Sequence, residues 1–223
     1  ENNTKFADTW MQTLVPNVNN DKLKEFANPK LNDSFEGWIG MFPSVDLVNE
    51  YEVRDTDGTA KDWNQSSFYK SWQQNGGYVS DAIYKNRDNR FYATVVQDSS
   101  RFFKSLVTMR TKGNMHWDSK AGGDWGMALN GYVYRKGIYT AKPLLNSDPT
   151  YYHYVVLRLG RSYLNYAEVM LRQGNISTAI EYINKTRTVH GAMPELPLSL
   201  SSELAWKAYK RERRIELVHE GDR

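Results

Sequence analysis

The stretch that most constrains this chain is Arg158–Arg223, which reads as two helices joined by a tight turn, a Pro-containing connection and a third, charged helix. From Leu159 the apolar positions Leu159, Tyr163, Tyr166, Ala167, Met170 and Leu171 recur at spacings of three and four, which draws one stripe on a helix. Gly174-Asn175 supplies the left-handed stop that ends such a helix cheaply. Ile176, Ala179, Ile180 and Ile183 begin a second stripe. Two helices joined by so short a turn must lie antiparallel, and Ala167 and Ala179 let them approach closely.

The third helix starts at Ser201 or Ser202, either of which can cap it, and carries Leu204, Ala208, Ile215 and Val218 as its apolar positions. Its basic run, Lys210 to Arg214, is interleaved with Glu212 and followed by Glu216. Alternating signs of this kind predict ion pairs along or between helices rather than a nucleic-acid contact. An exposed pair contributes only a few tenths of a kcal/mol. The Tyr166-Ala-Glu168 run, the Gly-Asn turn and the later Ala179 resemble one tetratricopeptide unit. One unit cannot bury both its faces and needs neighbours to stack on.

Upstream, Phe42-Pro43-Ser44 opens a helix through Tyr51, with Ser44 as its cap. Residues 55–78 and 112–131 are polar and Gly-rich and read as long surface loops. Short helices are expected around Lys5–Leu14, Asp21–Phe26 and Asp81–Lys85, and a turn-rich link over 146–154. Extended, β-prone composition marks Arg90–Val96, Phe102–Thr111 and Tyr132–Arg135. The expected fold is mainly α: a tetratricopeptide-like helical hairpin scaffold with long irregular loops and a few short strands.

Composition excludes several classes. At 223 residues the chain is one or two domains with room for a core. A net charge of +3 does not imply a polyanionic partner, so no nucleic acid is expected. There is no cysteine, hence neither a disulfide nor a thiolate metal site. No apolar run is long enough to span a membrane. The start, Glu1-Asn-Asn-Thr4, lacks the basic flank and apolar stretch of a signal peptide. The anomaly is aromatic: 7 Trp and 15 Tyr against 8 Phe. Rings with a polar edge suit half-wet surfaces, and a sugar ring, with its apolar C–H face and polar rim, fits them.

Six segments, in order, carry a resemblance. They are Pro43-Ser-Val-Asp-Leu-Val-Asn-Glu-Tyr-Glu52 with Asp57-Gly58; Asn86-Arg-Asp-Asn-Arg-Phe-Tyr-Ala93; Asn130-Gly-Tyr-Val-Tyr-Arg-Lys136; Tyr163-Leu-Asn-Tyr-Ala-Glu168; Tyr182-Ile-Asn-Lys-Thr-Arg187 followed by Gly191; and Glu212-Arg-Arg-Ile-Glu-Leu-Val-His-Glu-Gly221. Together they resemble the SusD/RagB family, with Asn89 standing where that family usually has Pro. The resemblance implies a non-enzymatic glycan-binding lipoprotein of the Bacteroidetes outer membrane. Such a protein holds oligosaccharide or polysaccharide at the cell surface and passes it to a SusC-type TonB-dependent transporter for nutrient uptake. Family members are longer and carry a lipidated N-terminal Cys. Residues 1–223 are therefore expected to be one SusD-like region of a longer protein, with a lipid anchor outside this chain. Residues 1–150 would be its loop-rich, ligand-facing part and 151–223 its helical scaffold. The rival readings are a helical-repeat protein–protein adaptor and a glycan-active enzyme.

No catalytic, metal or cofactor constellation competes. Asp55-Thr-Asp57-Gly58 with Asp62 has the wrong spacing for a calcium loop and reads as an Asp-Gly turn. Asp118, Asp124, Asp62 and Glu52 are candidate carboxylates for glycoside hydrolysis, but nothing pairs them. His116, His153, His190 and His219 are scattered, and no serine sits in a nucleophile elbow. Gly76-Gly77 and Gly122-Gly123 lack the residues of a phosphate loop. What remains is tryptophan in polar, Gly-rich surroundings: Trp38, Trp63, Trp72, Trp117 and Trp125 are the candidate glycan-binding residues. The alternative role for each is a plug over the core edge. Asn64, Gln73, Asn75 and Asn114 are near enough in sequence to bond sugar hydroxyls, whereas Trp206, beside Leu204, belongs to core or interface.

Overall fold

The computed structural model describes residues 10–138 and 155–222. In chain order the elements are β1 (Asn17–Val18), β2 (Phe35–Glu36), α1 (Val45–Glu50), β3 (Val53–Arg54), β4 (Ala60–Lys61), α2 (Ser67–Asn75), α3 (Ser80–Ile83) and α4 (Asn89–Thr94). Then follow β5 (Val95–Val96), β6 (Ser100–Phe102), β7 (Ser105–Val107), β8 (Val133–Tyr134), α5 (Leu159–Arg172), α6 (Ile176–Val189) and α7 (Ser202–Leu217). The chain forms two compact units: residues 1–45 with 93–153, and residues 46–92 with 154–223. Residues 5–9 of the helix expected around Lys5–Leu14, the link expected over 146–154, and His153 lie outside the described residues.

The first unit is built from short antiparallel pairs: β1 with β2, β5 with β8, and the β6–β7 hairpin. Its core gathers Val18, Phe35, Val96, Phe102, Val107, Met109, Met115, Met127 and Val133. Three methionines suit a core whose walls are irregular loops, because the flexible thioether fills uneven gaps. Buried Asn114 ties the loops: its side chain donates to the carbonyls of Pro29 and Leu106 at 2.8 Å and accepts from the Thr108 amide at 2.9 Å. Beside it, a Cβ on Gly113 would lie 2.3 Å from the Thr108 carbonyl oxygen, so only glycine lets the two strands of backbone touch.

The second unit holds the helical scaffold. Gly174, at φ +77°, makes the turn expected between α5 and α6, and Ser201 caps α7 by accepting the Leu204 amide. The α5–α6–α7 core consists of Leu164, Ala167, Leu171, Ala179, Ile180, Ile183, Ala205, Tyr209 and Leu217. The buried stripe on α5 runs Gly160, Leu164, Ala167, Leu171, so the expected Leu159 and Tyr166 face outward. On α7 Ile215 is buried as expected, but in the first half Ala205 and Tyr209 turn inward and Leu204 is exposed. The reason is ionic. Glu212 and Glu216 are buried, and they set which face of α7 points in.

Two other expectations are corrected. Residues 90–96 were expected to be extended, but α4 occupies 89–94 and only 95–96 are strand. The Asp88 carboxylate accepts the Arg90 amide at 2.9 Å, which supplies the helix start that composition did not show. Within 55–78 the chain is not one loop: Ser66 caps α2 by accepting the Tyr69 amide at 3.2 Å, and Gly76 ends the helix at φ +72°.

Candidate functional site

Two clefts of the second unit are lined by candidate tryptophans. The first has a volume of about 400 Å³ and is lined by Trp63, Asn49, Asn64, the carboxylates of Asp46, Glu50 and Asp62, and the guanidinium groups of Arg211 and Arg214. Its shape is fixed by Arg211, which pairs with Glu50 at 3.2 Å, Glu52 at 2.8 Å and Asp62 at 2.8 Å. Burial alone would lower the Arg211 pKa, but these three carboxylates raise it. Arg214 adds a pair to Glu50 at 3.1 Å. The Trp63 indole N–H donates to Asn49 Oδ1 at 2.8 Å, so the ring is held by its polar edge.

The second cleft, about 220 Å³, lies along one face of α2, where Phe68, Ser71, Trp72 and Asn75 recur at helical spacing. Tyr78, Asp81 and Lys85 complete it. The Trp72 indole donates to the Gly77 carbonyl at 2.9 Å, and Lys85 Nζ sits 5.0 Å over the Phe68 ring. Between the clefts stands Tyr69. Its ring is edge-on to Trp63 at 4.9 Å and stacked with Trp72 at 5.4 Å, the two planes differing by 27°. Rings with satisfied polar edges and fixed orientation, surrounded by carboxylates and amides, form a surface able to stack an apolar ring face and bond its hydroxyl rim.

The SusD family model matches residues 3–223. The chain belongs to the SusD family. Among solved structures it is similar to a SusD-like protein from Bacteroides fragilis, with 27% identity and a TM-score of 0.65 over 93% of this chain and 38% of that one. It is also similar to a SusD-like carbohydrate binding protein from Bacteroides fragilis, with 22% identity and a TM-score of 0.56 over 83% of this chain and 34% of that one. The chain thus spans little more than a third of the length of these relatives. No curated protein is matched by sequence. Its tetratricopeptide-like, mostly helical architecture with a few short strands is that of the SusD-like structures.

Within this SusD-family chain, the five candidate tryptophans fall into two groups. Trp63 and Trp72 are brought together through Tyr69 in the second unit. Neither lies in an open loop: Trp63 opens a 3-10 turn and Trp72 is on α2. Trp38, Trp117 and Trp125 belong to the first unit and are 50%, 49% and 61% exposed. Lys120 covers one face of Trp125 at 4.5 Å, and the rings of His116 and Trp117 are 5.4 Å apart. None of these three lines the clefts above. Asn114 is a buried loop tie and is removed from the hydroxyl-bonding group. Trp206 packs against the helical core and lines a separate cleft of about 400 Å³ with Glu168, Arg172 and Tyr209.

The Asp-Gly turn is closed from within. Lys61 Nζ lies 2.7 Å from Asp55 and 2.6 Å from Asp57, which places a fixed ammonium where a cation would sit. Hydrogen bonds from Lys61 and Thr59 draw the Asp57 carboxyl down to about 2. No group of three or more metal-ligating side chains occurs among the described residues. Of the carboxylates considered for hydrolysis, Asp118 pairs with Lys24 at 2.8 Å, which lowers its pKa, and Glu52 and Asp62 share Arg211. Sequence reasoning missed Tyr69, Asn49 and Arg211. Tyr69 was legible in retrospect, since it precedes Trp72 by three residues downstream of a serine cap.

Proposed function

We propose that this chain is the glycan-holding part of a non-enzymatic SusD-type protein, which captures oligosaccharide at the outer-membrane surface and passes it to a SusC-type TonB-dependent transporter. The observation that carries the reading is the pair of tryptophan-lined polar clefts in a member of this family. One similar protein is itself described as carbohydrate binding. A non-catalytic role is supported at Asp118, because its pairing with Lys24 lowers its pKa whereas a general acid needs a carboxyl that stays protonated. Attachment to the membrane is assigned to a lipid anchor outside this chain; no described helix is long and apolar enough to cross a bilayer.

The five tryptophans stand as candidates, with Trp63 and Trp72 first. Isothermal titration against the polysaccharide bound in a retention assay tests them. Trp63→Ala and Trp72→Ala are each expected to lower affinity several-fold, about 1 kcal/mol per ring, with the melting temperature nearly constant. Unchanged binding in all five alanine variants, or steady release of reducing sugar by the wild-type chain, overturns the reading.

A further inference from the structure

We infer that the cleft between α5 and α7 binds a small organic carboxylate, with its apolar body in the corner made by the Trp206 and Tyr209 rings and its charge held by Lys210 and Arg172. The site is separate from the clefts of Trp63 and Trp72, and every residue that lines it belongs to α5 or α7.

Trp206, Tyr209, Lys210 and Arg213 recur at helical spacing and so share one face of α7. Glu168 and Arg172, one turn apart on α5, form the opposite wall. The cleft they enclose is about 400 Å³, a volume in the range of small-molecule sites. The two rings meet edge to face, with centroids 5.7 Å apart and planes at 86°, which makes an apolar corner. Arg172 stands 5.9 Å over the Trp206 ring and Lys210 follows Trp206 by one turn, so two cations flank that corner.

Hydrogen bonding decides which chemistry fits. Every side-chain acceptor in the lining is taken. Glu168 Oε1 accepts Arg172 Nε at 3.1 Å and Nη2 at 2.7 Å, and Oε2 accepts the Tyr209 hydroxyl at 2.7 Å. The Tyr209 oxygen in turn accepts Arg213 Nη1 at 3.0 Å. The bonds from Tyr209 and Arg172 hold the Glu168 carboxyl below its usual range, so it stays an acceptor and offers no proton. Donors remain: Arg172 Nη1, the Lys210 ammonium and the Trp206 indole N–H have no acceptor among the described residues. A carboxylate accepts without donating and so matches this lining. A sugar hydroxyl also donates, and no free side-chain acceptor meets it here.

Charge leads to the same class. Arg213 is matched by Asp222 at 2.7 Å, Arg214 by Glu50 at 3.1 Å and Arg172 by Glu168 at 2.7 Å. Lys210 has no ion-pair partner among the described residues, so the lining carries one unmatched positive charge and suits a monoanion.

The test is a ligand-observed NMR titration of this chain at low ionic strength with three probes. Benzoate has the ring and the charge, benzyl alcohol the ring without the charge, and glucuronate the charge on a polar body. Benzoate should bind at least tenfold more tightly than either of the others. Lys210→Met should weaken benzoate at least threefold. Lys207→Met, at an exposed position of α7 outside the cleft, and Trp63→Ala should leave it unchanged. Trp206→Leu should weaken it as well, with a melting temperature as the folding control because this ring also packs on the core. Equal affinity for benzyl alcohol overturns the role of charge, and glucuronate as tight as benzoate overturns the apolar corner. A loss in Lys207→Met equal to that in Lys210→Met means attraction to diffuse surface charge, and a loss in Trp63→Ala means that benzoate sits in another cleft; either overturns the site. Absence of benzoate binding overturns it outright.

Discussion

Removing the Arg90 guanidinium should destabilise the second unit far more than any surface substitution. Arg90 is buried and donates to Asp88 at 2.9 and 2.6 Å, to Glu212 at 2.5 and 3.2 Å and to Glu216 at 2.8 Å. Glu212 also accepts the Thr186 hydroxyl at 2.5 Å, and Glu216 accepts Arg158 at 2.5 Å. In Arg90→Ala the three carboxylates stay buried, and Asp88 and Glu212 lose their cation. Breaking a buried pair from one side costs roughly 3–5 kcal/mol. In a domain whose whole stability is about 5–15 kcal/mol, this lowers the melting temperature by roughly 6–20 °C. Lys24→Ala, at the exposed Lys24–Asp118 pair, is the control and should cost under about 1 kcal/mol. Calorimetry measures the loss. A loss no larger than the Lys24 control would refute the reasoning.

Three further outcomes follow from the packing. Burial would raise the Glu216 carboxyl, but its bonds to Arg158 and Arg90 hold it from 4.5 down to about 2. A folded pKa below the unfolded one means this stabilisation is complete above pH 4.5 and lost as pH falls toward 2, so urea midpoints of Glu216→Gln should vary less across that window than those of the wild type. Ala167→Leu, at a fully buried position between α5 and α6, should cost roughly 1–3 kcal/mol through overpacking; an unchanged midpoint would contradict the close approach. Gly113→Ala drives a methyl against the Thr108 carbonyl, and a thermal melt should show a clear loss in the first unit, whereas Gly122→Ala, with no atom within 4 Å of the new Cβ but φ at +86°, should cost only about 1 kcal/mol.

The helical scaffold was legible because its signals are local. A stripe at spacings of three and four, a Gly-Asn turn and a serine cap need no partner to be read, and α5, α6 and α7 formed where those signals lie. The register of α7 was not, because Leu204 looks like a core residue until Arg90, more than a hundred residues upstream, is known to pull Glu212 and Glu216 inward. Long-range ion pairing leaves no periodic trace in sequence. Likewise the sequence of α2 reads as loop, since Gln73, Gln74 and Asn75 outweigh a single cap, and its Tyr69 ring packs against Trp63 rather than against an apolar core. Trp63 and Trp72 were found by composition, but their union through Tyr69 depends on α2 being helical.

Arg211 explains why the candidate site sits where it does. Its guanidinium holds Glu50 at the end of α1, Glu52 just beyond it and Asp62, the residue before Trp63. One side chain on the scaffold helix therefore positions both the backbone that presents Trp63 and the helix that presents Asn49, the acceptor for its indole. Glu52 is shared with Arg187 of α6 at 2.7 Å, so the same carboxylate fastens the cleft wall to two scaffold helices. A planar fork that satisfies three carboxylates has little freedom left, and a lysine offers a single point charge in its place. One residue of α7 thus holds both walls of the cleft, which makes the scaffold and the cleft parts of a single electrostatic arrangement.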